Sequence, residues 1–197
     1  GQQQIEDGRR NRDFDSSQED RESNVATSRG LAFQASKAVG TRHHLTYGID
    51  HYEDEVESSR TRTDLVTGAT SDRAPRFPDG STMSLAGAFI ADDWSVSERL
   101  DVLGGARWNM SRTRLPASGE FAATTVEDDG FTGNLGVACA VTPSVRLVAN
   151  VGQGFRAPNV FDLGTFGDRP GNLFNVPNPD LDSERMTTID AGWKVRN

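Results

Sequence analysis

Apolar and polar positions alternate with a period of two along most of the chain, and the helical period of 3.6 is nearly absent. The alternation predicts seven strands. The first runs from about Asn24 to Ala38, with Leu31, Phe33 and Ala35 on one face and Gly30, Ala32, Gln34 and Ser36 on the other. The second, about Arg42 to Glu57, sets Leu45, Tyr47 and Ile49 against His44, Thr46, Gly48 and Asp50. The third covers about Met83 to Ser95. It is ambiguous, because Phe89 and Trp94 fall on opposite faces and Asp92 and Asp93 put an acid on each; a bulge or a membrane edge near Asp92 would both explain it. The fourth, Leu100 to Arg112, alternates cleanly through Val102, Gly104, Ala106, Trp108 and Met110. The fifth, about Gly130 to Val141, aligns Phe131, Leu135, Val137 and Cys139. The sixth, Val145 to Phe155, puts Leu147, Ala149, Val151 and Phe155 on one face and Arg146, Asn150, Gly152 and Gly154 on the other. The seventh, about Arg185 to Val195, aligns Ile189, Ala191 and Trp193.

The connections alternate in length. Val39–Thr41, Val96–Arg99 and Thr142–Ser144 are tight turns. Residues 58–82, 116–129 and 156–184 are long loops, and the polar first segment, 1–23, falls where another is due. Short turns at one end and long loops at the other are the pattern of a membrane barrel, in which the apolar face meets lipid and the polar face lines the lumen. With a strand tilt near 40°, Leu100 to Trp108 climbs roughly 20 Å, close to the height of the lipid-facing band. Trp108 and Phe155 then belong to the girdle at the long-loop end, and Tyr47 and Trp193 to the one at the turn end. A soluble sandwich, with the same aromatics as its core, is the rival reading. The fold expected is all-β: an antiparallel up-and-down transmembrane β-barrel segment. Seven strands do not close such a barrel, so residues 1–197 read as one partial barrel domain of a larger one.

Composition narrows the function. A formal charge of −8 argues against a nucleic-acid partner. One cysteine, Cys139, excludes an internal disulfide, and no apolar run reaches the length of a transmembrane helix. No nucleophile has a plausible base, and neither a phosphate-binding glycine loop nor Cys/His metal spacing occurs, so no catalytic or metal residue is expected, no resident cofactor, and no enzyme. The acids of "DFDSSQED" (Asp13 to Asp20) lack EF-hand spacing and suit a solvated loop, with bridging of divalent cations near lipopolysaccharide as its expected role.

The loop after the sixth strand holds Pro158, Pro170, Pro177 and Pro179. Pro158 ends the ladder and suits the first turn of a helix. "APNVFDLG" reads as one helical turn closed by Gly164, with Val160, Phe161 and Leu163 inward. Prolines lower the entropy of the free loop, which favours binding, but an equally good reading is a rigid cover over the barrel mouth.

"GFRAPNVFDL", then "VPNPDLDSER" and "DAGWKV", resemble the C-terminal part of the barrel in TonB-dependent outer-membrane receptors. "FIADDWSVSERLDVLGGARWN" resembles a strand–turn–strand unit of the same family. The resemblance spans roughly Met83 to Val195. It implies an outer-membrane location and a barrel of about 22 strands whose N-terminal plug domain, in the full-length chain, carries the segment that engages the TonB complex. It also implies uptake of a scarce nutrient, a ferric chelate or haem as transported ligand, with outer-membrane lipid and lipopolysaccharide around the barrel. Substrate-loop candidates are Phe155, Arg156, Ala157, Pro158, Asn159, Asp162, Asp168, Arg169, Asn178, Pro179 and Leu181; Arg146 and Asn150 are expected to face the lumen. The two boxes, Phe155–Pro158 and Asn178–Leu181, are associated in that family with haem receptors that place a ligating His between them. Here no His lies between them; His43, His44 and His51 all fall on the second strand. A passive porin-like barrel and a soluble all-β binding or adhesion domain are the alternatives.

Overall fold

Alternating sequence with tight turns builds a meander, and each strand pairs antiparallel with the next in line. The structure is a computed structural model that describes residues 2–11, 17–119, 122–169 and 173–195. Eight strands form the sheet path: β1 (Gln2–Asn11), β2 (Gln18–Val39), β3 (His43–Asp64), β5 (Ser81–Ser97), β6 (Leu100–Leu115), β7 (Thr124–Ala140), β8 (Val145–Arg156) and β11 (Glu184–Val195). A short β4 (Thr70–Arg73) pairs back onto β3, and β9 (Gly167–Arg169) pairs with β10 (Leu173–Asn175). One helical turn, α1 (Val160–Gly164), follows β8. The sheet is open, with β1 and β11 at its edges.

The seven expected strands are all present. Register places their residues in rows across one face: Phe33, Ile49, Ala88, Trp108 and Phe131 in one, and Leu45, Gly104, Leu135, Val151 and Ile189 in another, which Lys37 and Asp92 share. Among the described residues no second layer covers this face. Leu31 is 83% exposed, Ile189 80% and Phe131 69%, whereas the buried core among the described residues is Met83, Leu115, Ala157, Val160 and Leu163, all at the long-connection end. A sandwich needs its large apolar residues between two sheets, and here they stand outside.

The polar face is held by local pairs. Arg107 meets Asp50 through Nη1–Oδ1 at 2.7 Å and Nη2–Oδ2 at 2.8 Å, and its Nε donates to Asn109 Oδ1 at 2.6 Å. The guanidinium crosses Gly87, where a Cβ would lie 2.0 Å from Nη2. Arg146 pairs with Asp101 at 3.0 Å near the tight turns, and Asn150 lies opposite Gly136 and Asp190.

The ambiguous third strand resolves into two features. A register shift falls between Ser95 and Ser97, below Trp94, and not at Asp92. Asp92 keeps register on the apolar face, where its Oδ2 bonds His43 Nδ1 at 2.7 Å and Trp94 stacks on that imidazole at 5.5 Å. Phe89 turns to the polar face beside Gly48.

Residues 1–23 correct the expectation of a polar loop: they contain β1 and the start of β2. The connections expected at 58–82 and 116–129 also shrink, because β3 runs on to Asp64 and β7 begins at Thr124, whereas β8 and β11 bound the third at Arg156 and Glu184. At 22 residues each, β2 and β3 rise well past the roughly 25 Å of an apolar band. A strand standing clear of any apolar phase needs no apolar face, so alternation of hydrophobicity cannot mark it. Phe155 is a second correction. The β7–β8 ladder ends at Asn134–Gly152, and above it Phe155 turns into the buried cluster on the polar side, away from the outer aromatic row.

An added Cβ at Gly48 would meet the Phe33 carbonyl oxygen at 2.5 Å and the Phe89 ring at 2.7 Å, whereas at Gly104 nothing lies within 4 Å. Gly48→Val is expected to destabilise the sheet by about 2 kcal/mol, and Gly104→Val to leave it unchanged. Thermal unfolding of the full-length protein measures both.

Candidate ligand cleft at the long-connection end

The sequence around α1 builds a rigid cap on the polar face. Asn159 is the N-cap: its Oδ1 accepts from Asp162 N at 3.0 Å, and Asp162 Oδ2 accepts from Asn159 N at 3.1 Å, a reciprocal capping box. Pro158, buried, ends the ladder, and its carbonyl accepts from Thr113 Oγ1 at 3.4 Å. Val160 and Leu163 pack on Met83 and Leu115, with Val56, Phe77, Leu85, Val126 and Phe155 around them. Gly164 allows the close approach, because a Cβ there would lie 3.1 Å from Pro78 and 3.2 Å from Leu115.

The two sequence boxes meet at this cap. Arg156 bridges Asp162 at 2.6 Å and Glu184 at 3.0 Å, tying the helical turn to the start of β11. The backbone N of Asn178 donates to the Leu163 carbonyl at 2.9 Å, and Asn178 Oδ1 accepts from Asp180 N at 3.2 Å. The Arg185 guanidinium sits 5.7 Å from the Phe155 ring centroid. Phe155, Arg156, Ala157, Pro158, Asn159, Asp162 and Asn178 are therefore brought together as a clasp whose polar groups are occupied with one another. Pro179 is half-buried and Leu181 exposed. The side chains of Asp168 and Arg169 lie outside the described part. Arg146 and Asn150 sit at the opposite end of the sheet, on the polar face.

Beside the cap opens a cleft of about 400 Å³. One wall comes from β1 to β3 and mixes Gln4, Glu6, Asn24, Ser28 and Asp54 with Val25, Ala26 and Val56. The other is apolar: Val160, Phe161, Phe77 and Met83. Phe161 was expected to point inward with Val160 and Leu163; it is instead 53% exposed and faces Phe77, with ring centroids 5.8 Å apart. Three apolar residues of one turn cannot all face the same side, and the sheet takes Val160 and Leu163. Among the described residues no group of His, Cys, Asp and Glu is placed to hold a metal ion.

A buried charge cluster supports the polar wall. Asp20 receives Arg60 Nη2 at 2.6 Å, Arg62 Nε at 2.6 Å and Arg62 Nη2 at 2.8 Å. The Arg62 and Arg60 guanidiniums hold its carboxyl far below the usual carboxylate range, against the opposing effect of burial. Glu22 Oε1 accepts from the Arg76 backbone N at 2.8 Å, and the Arg76 carbonyl accepts from Phe166 N at 2.9 Å, so the long connections interlock above the sheet. Sequence reasoning missed Phe77, the Asp20 cluster and the β1 wall. Arg60 and Arg62, two apart, do share a strand face, but the signal was lost in a segment read as loop.

Residues 2–197 match the family described as "TonB dependent receptor-like, beta-barrel". Among solved structures, the chain is similar to the copper transporter OprC, with a TM-score of 0.75 and 18% identity over 91% of this chain and 29% of that one. A double mutant of the Serratia marcescens hemophore receptor HasR, in complex with its hemophore HasA and heme, gives 0.66 and 18% over 93% and 31%. The ferric yersiniabactin uptake receptor FyuA from Yersinia pestis gives 0.62 and 14% over 92% and 28%. At such identities the likeness concerns the fold. The chain spans about three tenths of the length of these proteins. Among curated proteins none matches it in sequence.

Asn159→Ala removes the cap and should cost about 1 kcal/mol, read as faster protease nicking within residues 156–184 of the full-length protein. Asp20, with its depressed folded pKa, should stabilise the β2–β3 hairpin fully above about pH 4, and that contribution should shrink progressively as pH falls from there toward the folded value. Pepsin nicking of the hairpin should accordingly stay low just below pH 4 and be higher there in Asp20→Asn.

Proposed function

The chain belongs to the TonB-dependent receptor-like β-barrel family, and we propose that it supplies part of the wall and extracellular mouth of an outer-membrane receptor for a scarce metal-containing nutrient. Proteins of this family sit in the outer membrane and are transporters and receptors, not enzymes. In this reading the apolar face meets lipid, the polar face lines the lumen, and the long connections are extracellular. Arg146 and Asn150 then face the lumen, where a plug domain of the same receptor would lie and engage TonB.

The observation that carries the proposal is the cleft between the β1–β3 wall and the Phe77–Phe161 pair. Its size falls within the range of small-molecule sites, and it combines an aromatic surface with a few hydrogen-bonding groups. Its walls are fixed before any ligand arrives: the capping box, the Arg156 bridges and the Asp20 cluster hold them, so little ordering entropy remains to be lost on binding. A haem or ferric chelate would be held here by surface contact. No histidine lines the cleft, so a histidine bond to haem iron does not come from it. The same cap, folded over the polar face, speaks against a passive open pore.

The test uses the complete receptor. Phe161→Ala should weaken ligand binding about tenfold without affecting assembly, because Phe161 projects into the cleft and not into the cluster. Deleting Asn159 to Pro177 should abolish uptake. Unchanged uptake of haem, copper and ferric chelates alike after that deletion would reduce the cap to a purely structural part.

A further inference from the structure

We propose that the cleft beside the cap selects an elongate ligand that carries cationic groups, ammonium or guanidinium, about an apolar middle. The inference rests on the reading of this cleft as the ligand site, and it names the charge of what the site takes. Register sets out the β1–β3 wall in three rows on the polar face. Gln2, Ser28 and Asp54 form the first; Gln4, Ala26 and Val56 the second; Glu6, Asn24 and Ser58 the third. Asp54 thus lies at one corner of the wall and Glu6 at the opposite one, with Ala26 and Val56 between them. Phe161 and Phe77 line the facing wall.

Glu6 and Asp54 are the charged groups of the lining. Among the described residues no lysine, arginine or histidine lines the cleft, and neither carboxylate is paired with a cation. Asp54 is half-buried and Glu6 exposed, so both present oxygens to the cleft. Arg60 and Arg62 follow on the same face of β3, but both are drawn onto Asp20. Asn24 Oδ1 accepts from the Ser58 hydroxyl, and Asn24, Gln4 and Ser28 add only neutral polar groups.

This arrangement fixes a sign and a shape. Ionised carboxylates only accept hydrogen bonds, and ammonium and guanidinium groups only donate them. A cation is also attracted to the face of an aromatic ring, of which the opposite wall has two. An anionic group would enter against two like charges with nothing on these walls to compensate them. Two strand spacings and the four residues from Gln2 to Glu6 separate the carboxylate positions, roughly 16 Å between their Cα atoms. One small cation cannot touch both, so the pair does not make a metal site. A ligand that lays an apolar middle over Ala26 and Val56 and turns a cationic group toward each carboxylate uses the whole wall. A chelate rich in carboxylates leaves both acids opposed.

Three probes of one shape test this on the complete receptor in detergent: benzene bearing, at opposite positions, two aminomethyl groups, two hydroxymethyl groups or two carboxylates. Affinities are read by ligand-observed NMR at low salt, where exposed charges are least screened, with empty micelles as the blank. The diamine should bind about tenfold more tightly than the diol, and the dicarboxylate should give no signal. Glu6→Gln and Asp54→Asn, made singly, keep side-chain size and should each weaken the diamine about threefold while leaving the diol unchanged. Phe161→Ala should weaken diamine and diol alike. Glu53→Gln, on the opposite face of β3, should change neither. Equal affinity for diamine and dicarboxylate, a diamine affinity indifferent to both carboxylate variants, or no diamine binding to the wild type would overturn the assignment. Uptake is not read here: if the loop deletion left uptake unchanged while the preference for the diamine held, the transport reading alone would fail.

Discussion

Satisfaction of backbone hydrogen bonds in an apolar surrounding is the constraint on which the rest of this structure depends. Each unpaired N–H or C=O in hydrocarbon costs several kcal/mol. The chain meets that cost with long antiparallel ladders, the longest matching 22 residues of β2 to 22 of β3. Once the ladders are fixed, side-chain facing follows, because neighbours in register share a face. The same constraint explains the scarcity of core. Leu31 and Ile189 are not buried against protein, and the stability of the sheet does not rest on a packed interior.

What core there is lies at the long-connection end. Among the described residues Met83, Leu115, Ala157, Val160 and Leu163 form it, beneath the connections. There the backbone leaves the ladder, and other devices must hold it: a capping box, a proline carbonyl bonded to Thr113, arginine bridges and interlocked loop hydrogen bonds. The Phe-Arg-Ala-Pro and Asn-Pro-x-Leu boxes belong to this work. Their polar residues hold α1 and the start of β11, Arg156 through Asp162 and Glu184 and Asn178 through the Leu163 carbonyl, and the candidate cleft is lined by less conspicuous neighbours, Phe77, Phe161 and the edge of β1. Rigidity of the mouth and openness of the cleft are thus two results of one arrangement.

Polar residues on the apolar face follow their own logic. Asp92 stands in a row with Leu45 and Leu135, and His43 and Trp94 gather around it near the tight turns. Asp129 is met by Trp108 near the other end. In both places an aromatic residue that is at home at an interface accompanies the acid. Charge on this face is therefore confined to the edges of the band, and the middle rows stay apolar.

Much of the fold was legible in the sequence, since period-two alternation, tight turns and the contrast between short and long connections are local signals. They established seven strands, their facing for most residues, the helical turn after Pro158 and the family of the barrel. The tight turn after β2, where Gly40 takes φ 63°, shows how directly such signals read. The polar upper strands were not legible. β1 and the extension of β2 lie outside any apolar phase, so nothing in their hydropathy separates a paired strand from a loop, and only pairing with β3 decided it. Nor were the turn of Phe155 into the cluster and the exposure of Phe161 legible, because they depend on where the β7–β8 ladder stops and which side of α1 the sheet can receive. The sequence by itself determined what is set by alternation along one strand. Tertiary structure alone decided what is set by the neighbour across the ladder, and the candidate site is built almost entirely from that second kind of contact.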